Sequence, residues 1–220
     1  MKILELFAGS RSIGKVADSL GHETFSIDIN DFDKIDLVID ILNLTKDMIP
    51  FKPNMIWASP PCTYFSVASI GVHWNEDHTP KTKEAELGMR VLNKTLEIFT
   101  WFPDAIFYME NPRGKMRRKV NGIDRTSVTY CSYGDKRMKP TDVWSNNIYD
   151  MFNENGWKPR PMCFNSNTKC SHEEAPRGSK TGTQGLKGNY ERSIIPKQLC
   201  TDIVKATEQK LMLYGVSKSF

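Results

Sequence analysis

The stretch "KILELFAGSRSIGKVADSLGHETFSIDIN" (Lys2–Asn30) decides the architecture. "KILELF" is a short apolar run of strand type. "AGSRSIG" is a turn. "SIGKVADSL" then has helical spacing and stops at Gly21. "TFSIDIN" reads as the next strand. Strand, glycine-bearing turn, helix and strand within about thirty residues make a βαβ unit, whose two strands lie parallel.

Working outward, "DLVIDI" and "NMIWAS" read as a third and a fourth strand. "KEAELGMRVLNKTLEIFTWF" (Lys83–Phe102) is the longest helix candidate, with Leu87, Val91, Leu92, Leu96 and Ile98 as its apolar positions. "AIFYMEN" is a fifth strand, and "TSVTYCSYG" and "TDVWSNN" are two more. This alternation predicts an α/β fold: a mostly parallel, twisted sheet with helices on both faces. After about Asp150 the chain becomes rich in Gly, Pro, Asn, Ser and basic residues, without periodicity. Long irregular segments in compact proteins are usually functional or tied down. "IPKQLCTDIVKATEQKLMLY" then predicts an amphipathic helix starting behind Pro196. The expected organisation is a catalytic domain over 1–146, a short irregular segment over 147–192, and a helix within 193–220 that packs back on the domain.

The 220 residues are 39% hydrophobic and 25% charged, as in an ordinary globular protein. No apolar run reaches the roughly 18 residues of a membrane span. The N-terminus lacks the apolar core of a secretion signal. Five cysteines, an odd number, argue against a disulfide scaffold and for reduced thiols in a cytoplasmic setting. The net charge of +4 permits a nucleic-acid partner without requiring one.

In sheets of this kind ligands bind beyond the carboxyl ends of the strands. There, Gly9 and Gly14 allow close backbone approach near a helix N-terminus, although the G-x-G-x-x-G fingerprint is absent. Asp28, at the end of the second strand, can bind ribose hydroxyls. Asp40, at the end of the third, can accept from an adenine amino group, and Phe7 can stack on the ring. Each feature alone would pass for an ordinary turn or a surface carboxylate. Together at successive strand ends they point to a nucleoside-type cofactor.

At the fourth strand end, "WASPPCTYFS" (Trp57–Ser66) puts Cys62 directly behind two prolines. Proline fixes its own φ and restricts the residue before it. A nucleophile that must meet a substrate atom profits from such a mounting. "ENP" (Glu110–Pro112) ends the fifth strand, so a thiol and a carboxyl would face one pocket. Alone, Cys62 would be a small packing residue and Glu110 a surface carboxylate.

At these residues the chain resembles the DNA cytosine-5 methyltransferases. "LFAGSRSIG" is similar to the family's F-x-G-x-G motif, with Ser10 and Arg11 in place of the second glycine, a departure that falls at the methionine end of the cofactor. "SPPC" matches the nucleophile motif, and "ENP" resembles the family's E-N-V. "DKRMK" (Asp135–Lys139) resembles Q-x-R-x-R. The resemblance implies a Rossmann-like S-adenosylmethionine-dependent methyltransferase fold. It implies a cofactor held by Phe7, Ala8, Gly9, Ser10, Asp28, Ile29, Asp40, Ile41, Ser59 and Pro60. It further implies catalysis by Cys62 and Glu110, with Arg137 at the cytosine carbonyl oxygen and Lys139 beside it or on a phosphate. The chain is expected to be a monomer whose partner is double-stranded DNA with a flipped cytosine, in a bacterial cell or a phage-infected host, for a compact member of bacteriophage type. The same chemistry on RNA or a free cytidine nucleotide, transfer of a larger group from a modified cofactor, and a silent nucleic-acid-binding module are the alternatives.

Two family features are missing. Only about 147–192 is left for target recognition, which predicts a context of one or two neighbouring bases. The closing G-N-S/A-V signature is also absent, and "RSIIP" (Arg192–Pro196) stands near its place. The loop "TYFSVASIGVHWNEDHTPKTKE" is expected to be a flexible closing loop, since Thr, Ser, Gly and His dominate it. "CFNSNTKCSH" holds Cys163, Cys170 and His172, which with Cys131 would suit a structural zinc. Basic residues in "RGKMRRK" (Arg113–Lys119) and in 158–192 are expected to contact phosphates.

Overall fold

The computed structural model describes residues 1–67, 70–164, 166–173 and 188–217. A seven-stranded sheet runs through it in the order β3-β2-β1-β4-β5-β7-β6. The strands are β1 (Lys2–Leu6), β2 (Glu23–Asp28), β3 (Leu37–Val38), β4 (Met55–Ala58), β5 (Ile106–Pro112), β6 (Arg125–Thr129) and β7 (Pro140–Ser145). β1 to β5 are parallel, and β7 runs antiparallel between β5 and β6. The mostly parallel α/β sheet expected from the alternation is therefore present. Strand order reverses between β1 and β4, the point where such sheets open a crevice for a ligand.

The strands are apolar on both sides because both faces are covered. Ile3, Met55, Trp57, Ile106 and Tyr108 point to one face. Leu4, Leu6, Ile56, Ala58 and Met109 point to the other. The first face is closed by α1 (Ser12–Ser19) through Ile13, Val16 and Ala17, and by α5 (Lys197–Ser217) through Leu199, Cys200, Ile203 and Val204. Burial of each such aliphatic side chain contributes roughly 1.5–3 kcal/mol. A short helix, α2 (Ile70–His73), precedes α3 (Lys83–Trp101), which covers the second face. Thr82 caps α3 by accepting from the Ala85 N–H, and Glu84 and Glu86 complement the helix dipole in its first turn. A last short helix, α4 (Asn189–Ser193), leads into α5. No described helix is long and apolar enough to cross a membrane.

Two expectations about helices need correction. α5, at 21 residues, is longer than α3 at 19. The buried stripe of α3 is Ala85, Gly88, Leu92, Thr95, Ile98 and Phe99, while Leu87 is 42% exposed. Small residues replace large ones because aromatic rings lie against the helix. A Cβ on Gly88 would stand 3.2 Å from both Tyr64 and Phe65 ring atoms.

The same packing anchors the loop that follows Cys62. Phe65 and Trp74 are buried, Trp74 Nε1 donates to the Tyr64 carbonyl, and Lys115 N–H donates to the Phe65 carbonyl. The polar composition of the loop gave no sign of these anchors. Its residues 68–69 lie outside the described residues.

Candidate active site

The sheet register builds the site. Leu37, Ile27, Leu6, Ala58 and Met109 form one row across the five parallel strands. Asp28 and Glu110 stand one residue beyond that row, and Phe7 and Ser59 leave the sheet at the same level. The two predicted halves therefore open on one edge.

The β1–α1 loop is held in an unusual backbone. Phe7, Gly9 and Arg11 all have positive φ, at 56°, 46° and 52°. Arg11 stands where the resemblance expects glycine and keeps the left-handed conformation that glycine adopts freely. Holding a non-glycine residue there costs on the order of 1 kcal/mol or more. Hydrogen bonds from its buried guanidinium offset this: Nε donates to Ser26 Oγ (2.9 Å), Nη2 to Thr24 Oγ1 (2.8 Å) and Nη1 to Asp18 (3.2 Å). The side chain is thus spent inside the fold, between α1 and β2. Glu5 lies on the same face. Its carboxylate accepts from the Ile13 and Gly14 N–H groups at the start of α1 and from Ser26 Oγ. Burial pushes its carboxyl up to about 7, against the pull of those N–H groups and of Arg11.

The residues expected around a cofactor meet at the mouth of this loop. Asp28 Oδ2 accepts from Gly9 N–H at 2.9 Å, which fixes the carboxylate beside the loop. A Cβ built on Gly9 would meet Asp28 Oδ2, the Phe7 carbonyl and Ser193 Oγ at 3.9 Å, ordinary contact distances, so what favours glycine there is its positive φ of 46°. Asp40 Oδ1 caps the 3-10 turn Ile41–Asn43 through Leu42 N–H, and its Oδ2 has no hydrogen bond among the described residues. Ile29 is 63% exposed beside Asp28, an apolar face of the kind an adenine ring covers. Ala8, Ser10, Ile41 and Pro60 are buried. Two carboxylates beyond the strand ends, the Gly9 backbone and an exposed Ile29 fit the nucleoside end of S-adenosylmethionine.

Over this loop lies the segment that includes α4. Tyr190 packs on Phe32 with ring centroids 5.6 Å apart, and Ile195 N–H donates to Ser12 Oγ. A cleft of about 680 Å³ lies between them, lined by Ser10, Ser12, Lys15, Tyr133, Tyr190 and Ile194 among others. "RSIIP" thus occupies the neighbourhood of the loop even though the closing signature is absent. A second cavity, of about 500 Å³, lies by Phe102 and Ala105 at the opposite ends of the strands and is remote from this chemistry.

In the chemical half, Asn111 Nδ2 donates to the Pro60 carbonyl at 2.7 Å in a buried bond. This ties "ENP" directly to "SPPC". Cys62 then opens a turn, its carbonyl accepting from the N–H groups of Phe65 and Ser66. Burial pushes the Cys62 thiol up; Lys139 and Arg192 pull it down, and Glu110 raises it. Glu110 is buried and accepts a hydrogen bond from Tyr130 Oη at 2.9 Å. Lys139 Nζ lies 4.6 Å from the centre of the Tyr130 ring. Tyr130 and Tyr190 carried no role in the sequence reading, and Arg192 entered it only as a basic residue of 158–192 and the start of "RSIIP". "TYCSYG" read as a strand with Cys131 as a metal-ligand candidate, and an aromatic residue there carries no motif.

Several expected residues are turned elsewhere. Arg137, expected at the cytosine carbonyl, is buried, doubly bonded to Asp135, and donates to the carbonyls of Glu191, Arg192 and Ile194. It clamps the segment over the β1–α1 loop, and Lys139 is the member of that motif whose charge reaches Cys62. In the basic run, Arg117 pairs with the buried Asp142, and Lys115 is buried with its Nζ at His78 Nδ1. Arg113 and Arg118 are exposed. Of the basic residues expected in 158–192, Arg177, Lys180 and Lys187 lie outside the described residues, as does "APRGSKTGTQGLKG" except Gly188. Cys131, Cys163, Cys170 and His172 do meet, with all four ligand atoms within 4.8 Å of one another.

Sheet order, reversed seventh strand and strand-end carboxylates define a Rossmann-like, S-adenosylmethionine-dependent methyltransferase fold. No protein-family model matches the chain. It is 32% identical over 153 residues to a protein of Frog virus 3 (isolate Goorha) described as a probable DNA (cytosine-5)-methyltransferase, covering 66% of this chain and 70% of that one. Among solved structures it is similar to a prophage-encoded DNA modification methyltransferase from E. coli (TM-score 0.49, 14% identity, 66% of this chain). It is similar also to the methyltransferase EhMeth of Entamoeba histolytica (TM-score 0.47, 13% identity, 66% of this chain). The chain spans about half of each of these two, 46% and 52%. The chain belongs to the DNA (cytosine-5)-methyltransferase family.

Proposed function

We propose that the chain methylates carbon 5 of cytosine in double-stranded DNA. The observation that carries this reading is the Asn111–Pro60 hydrogen bond, which ties the Cys62 loop to the Glu110 strand end on the edge where Asp28 and Asp40 also end. Asp28, Asp40 and the Gly9 backbone would hold S-adenosylmethionine, which supplies an electrophilic methyl group when bound. Carbon 5 of cytosine is too weak a nucleophile to take that methyl unaided. Addition of the Cys62 thiolate to carbon 6 forms an S–C bond and moves the ring electrons toward carbon 5 and N3. Glu110 supplies a proton at N3, which removes the developing charge. After transfer, loss of the carbon 5 proton to a base or water restores the double bond and expels Cys62. Lys139 and Arg192 favour the thiolate that burial disfavours, and Lys139 takes the charge-stabilising role at the cytosine carbonyl expected of Arg137. The base must be flipped out of the duplex to reach Cys62. Residues 1–146 with the helix in 193–220 would form the catalytic body, and 147–192 would meet the target. Arg113 and Arg118 are the members of the basic run exposed to phosphates.

DNA carrying 5-fluorocytosine tests the reading, because fluorine at carbon 5 blocks release of the adduct. A covalent complex should form with the protein and S-adenosylmethionine and fail with Cys62→Ser. Trapping that survives that substitution, or an active enzyme that traps nothing, overturns the mechanism. Methylation of RNA in preference to the matching DNA overturns the substrate.

A further inference from the structure

We propose that Cys131, Cys163, Cys170 and His172 hold one Zn²⁺ in a closed, tetrahedral three-thiolate, one-imidazole site. This inference is independent of the reaction assigned above. The four ligand atoms lie within 4.8 Å of one another, and His172 Nδ1 is 3.6 Å from Cys163 Sγ. Tetrahedral zinc with bonds of about 2.3 Å to sulfur and about 2.0 Å to nitrogen places its ligand atoms roughly 3.5–3.8 Å apart. A contraction of at most about 1–1.3 Å along the longest edge would seat the ion. Four protein ligands leave no open position, which marks a structural site.

Surrounding contacts suit thiolates. Asn167 Nδ2 donates to Cys163 Sγ at 3.2 Å, as groups around a metal-bound sulfur commonly do. Cys163 N–H donates to Thr129 Oγ1, which docks the loop on the end of β6. All five cysteines of the chain are free thiols. A disulfide between any two of the cluster would leave the third thiol and the imidazole without a role.

The segment also needs such a tie. From Lys158 to Glu173 no described residue is buried, and Phe164 is 62% exposed. A stretch without a core must be held by other means, and a metal is one of the few available. The ligands join two distant parts of the chain. Cys131 belongs to the 3-10 turn Tyr130–Tyr133, and the other three to the irregular segment. Tyr130 is the residue that donates to Glu110, and Glu173, next to His172, pairs with the backbone at Lys136 and Arg137. The metal would therefore staple the recognition segment to the turn that supports the acid.

Zinc content of the full chain, purified under reducing conditions from zinc-supplemented cells, tests this without reference to turnover. About one Zn²⁺ per chain is expected after dialysis for the wild type and for Cys62→Ser. Content near zero is expected for Cys163→Ser and Cys170→Ser, which lie in the surface segment, with the circular dichroism of the sheet unchanged. Cobalt replacing zinc should give the intense visible bands of tetrahedral Co²⁺ with thiolate charge transfer in the near ultraviolet, and Cys163→Ser should weaken both. Wild-type protein that holds no zinc and gives octahedral cobalt spectra overturns the site. Zinc retained by both loop variants, or lost in Cys62→Ser, overturns it equally.

Discussion

Glu5→Gln exposes the electrostatic strain beneath the cofactor loop. The Glu5 carboxyl is raised from 4.5 to about 7 by burial, so between those values the folded chain binds a proton that the unfolded chain has released. Stability then falls as pH rises, because the unfolded state binds fewer protons than the native one. The loss begins near the unfolded value of 4.5 and levels off above the folded value of about 7. Integrated from pH 5 to pH 8, the shift corresponds to about 2.5 kcal/mol. Glutamine cannot titrate and removes this dependence. It also has one acceptor oxygen where the carboxyl group, protonated or ionised, has two, so it cannot serve both Ile13 and Gly14 N–H, and one unmet donor costs about 1–3 kcal/mol at either pH. Urea unfolding of both proteins at pH 5 and pH 8 separates the two effects, since all other titrating groups cancel in the difference. Wild type should be the more stable at pH 5, and its advantage should shrink by about 2.5 kcal/mol by pH 8. A difference between the two proteins that is the same at both pH values refutes the assignment of Glu5.

Tyr130→Phe keeps the ring under Lys139 and removes the donor to Glu110. A neutral hydrogen bond that orients Glu110 contributes about 0.5–1.5 kcal/mol, so kcat/KM for methyl transfer should fall about 2- to 10-fold with the fold intact; an unchanged kcat/KM removes Tyr130 from the site. Gly114→Ala would place a Cβ 2.1 Å from the Phe65 carbonyl oxygen and push apart the Ser66–Gly114 bridge that pins the Cys62 loop. Denaturant unfolding should show a loss of about 1–3 kcal/mol together with reduced methyl transfer, and an unchanged midpoint would contradict the packing described for that loop.

Much of this was legible because periodicity and strand-end chemistry are local. Short continuous apolar runs marked β1, β4 and β5, and the motifs fell where such runs stop. Asp28 and Glu110 were found in this way, and the register places them one residue past a shared row. What sequence could not show is where a long polar side chain spends its charge. Arg137 carries a motif position, yet Asp135 lies two residues away and three carbonyls of 191–194 come from a distant part of the chain. Lys115 and Arg117 read as surface charges until Trp74 and Asp142 are brought beneath them. The α3 stripe was misread for a related reason. Leu87 has the more apolar side chain, but only Gly88 leaves room for Phe65 and Tyr64. Cys163, Cys170 and His172 were visible as residue types, but their meeting depends on a loop that crosses to Cys131.

The pairing of α1 with α5 has a consequence for how the protein is made. Ile13, Val16 and Ala17 are translated early, but the side chains that cover them, Leu199, Cys200, Ile203 and Val204, leave the ribosome only after every strand has been synthesised. Until then the part of that face that α5 covers, including Tyr108, whose hydroxyl lies 3.1 Å from Thr207 Oγ1, is open to chaperones or to other nascent chains. Production of this protein should accordingly respond to the speed of translation and to chaperone supply more than its finished stability would suggest.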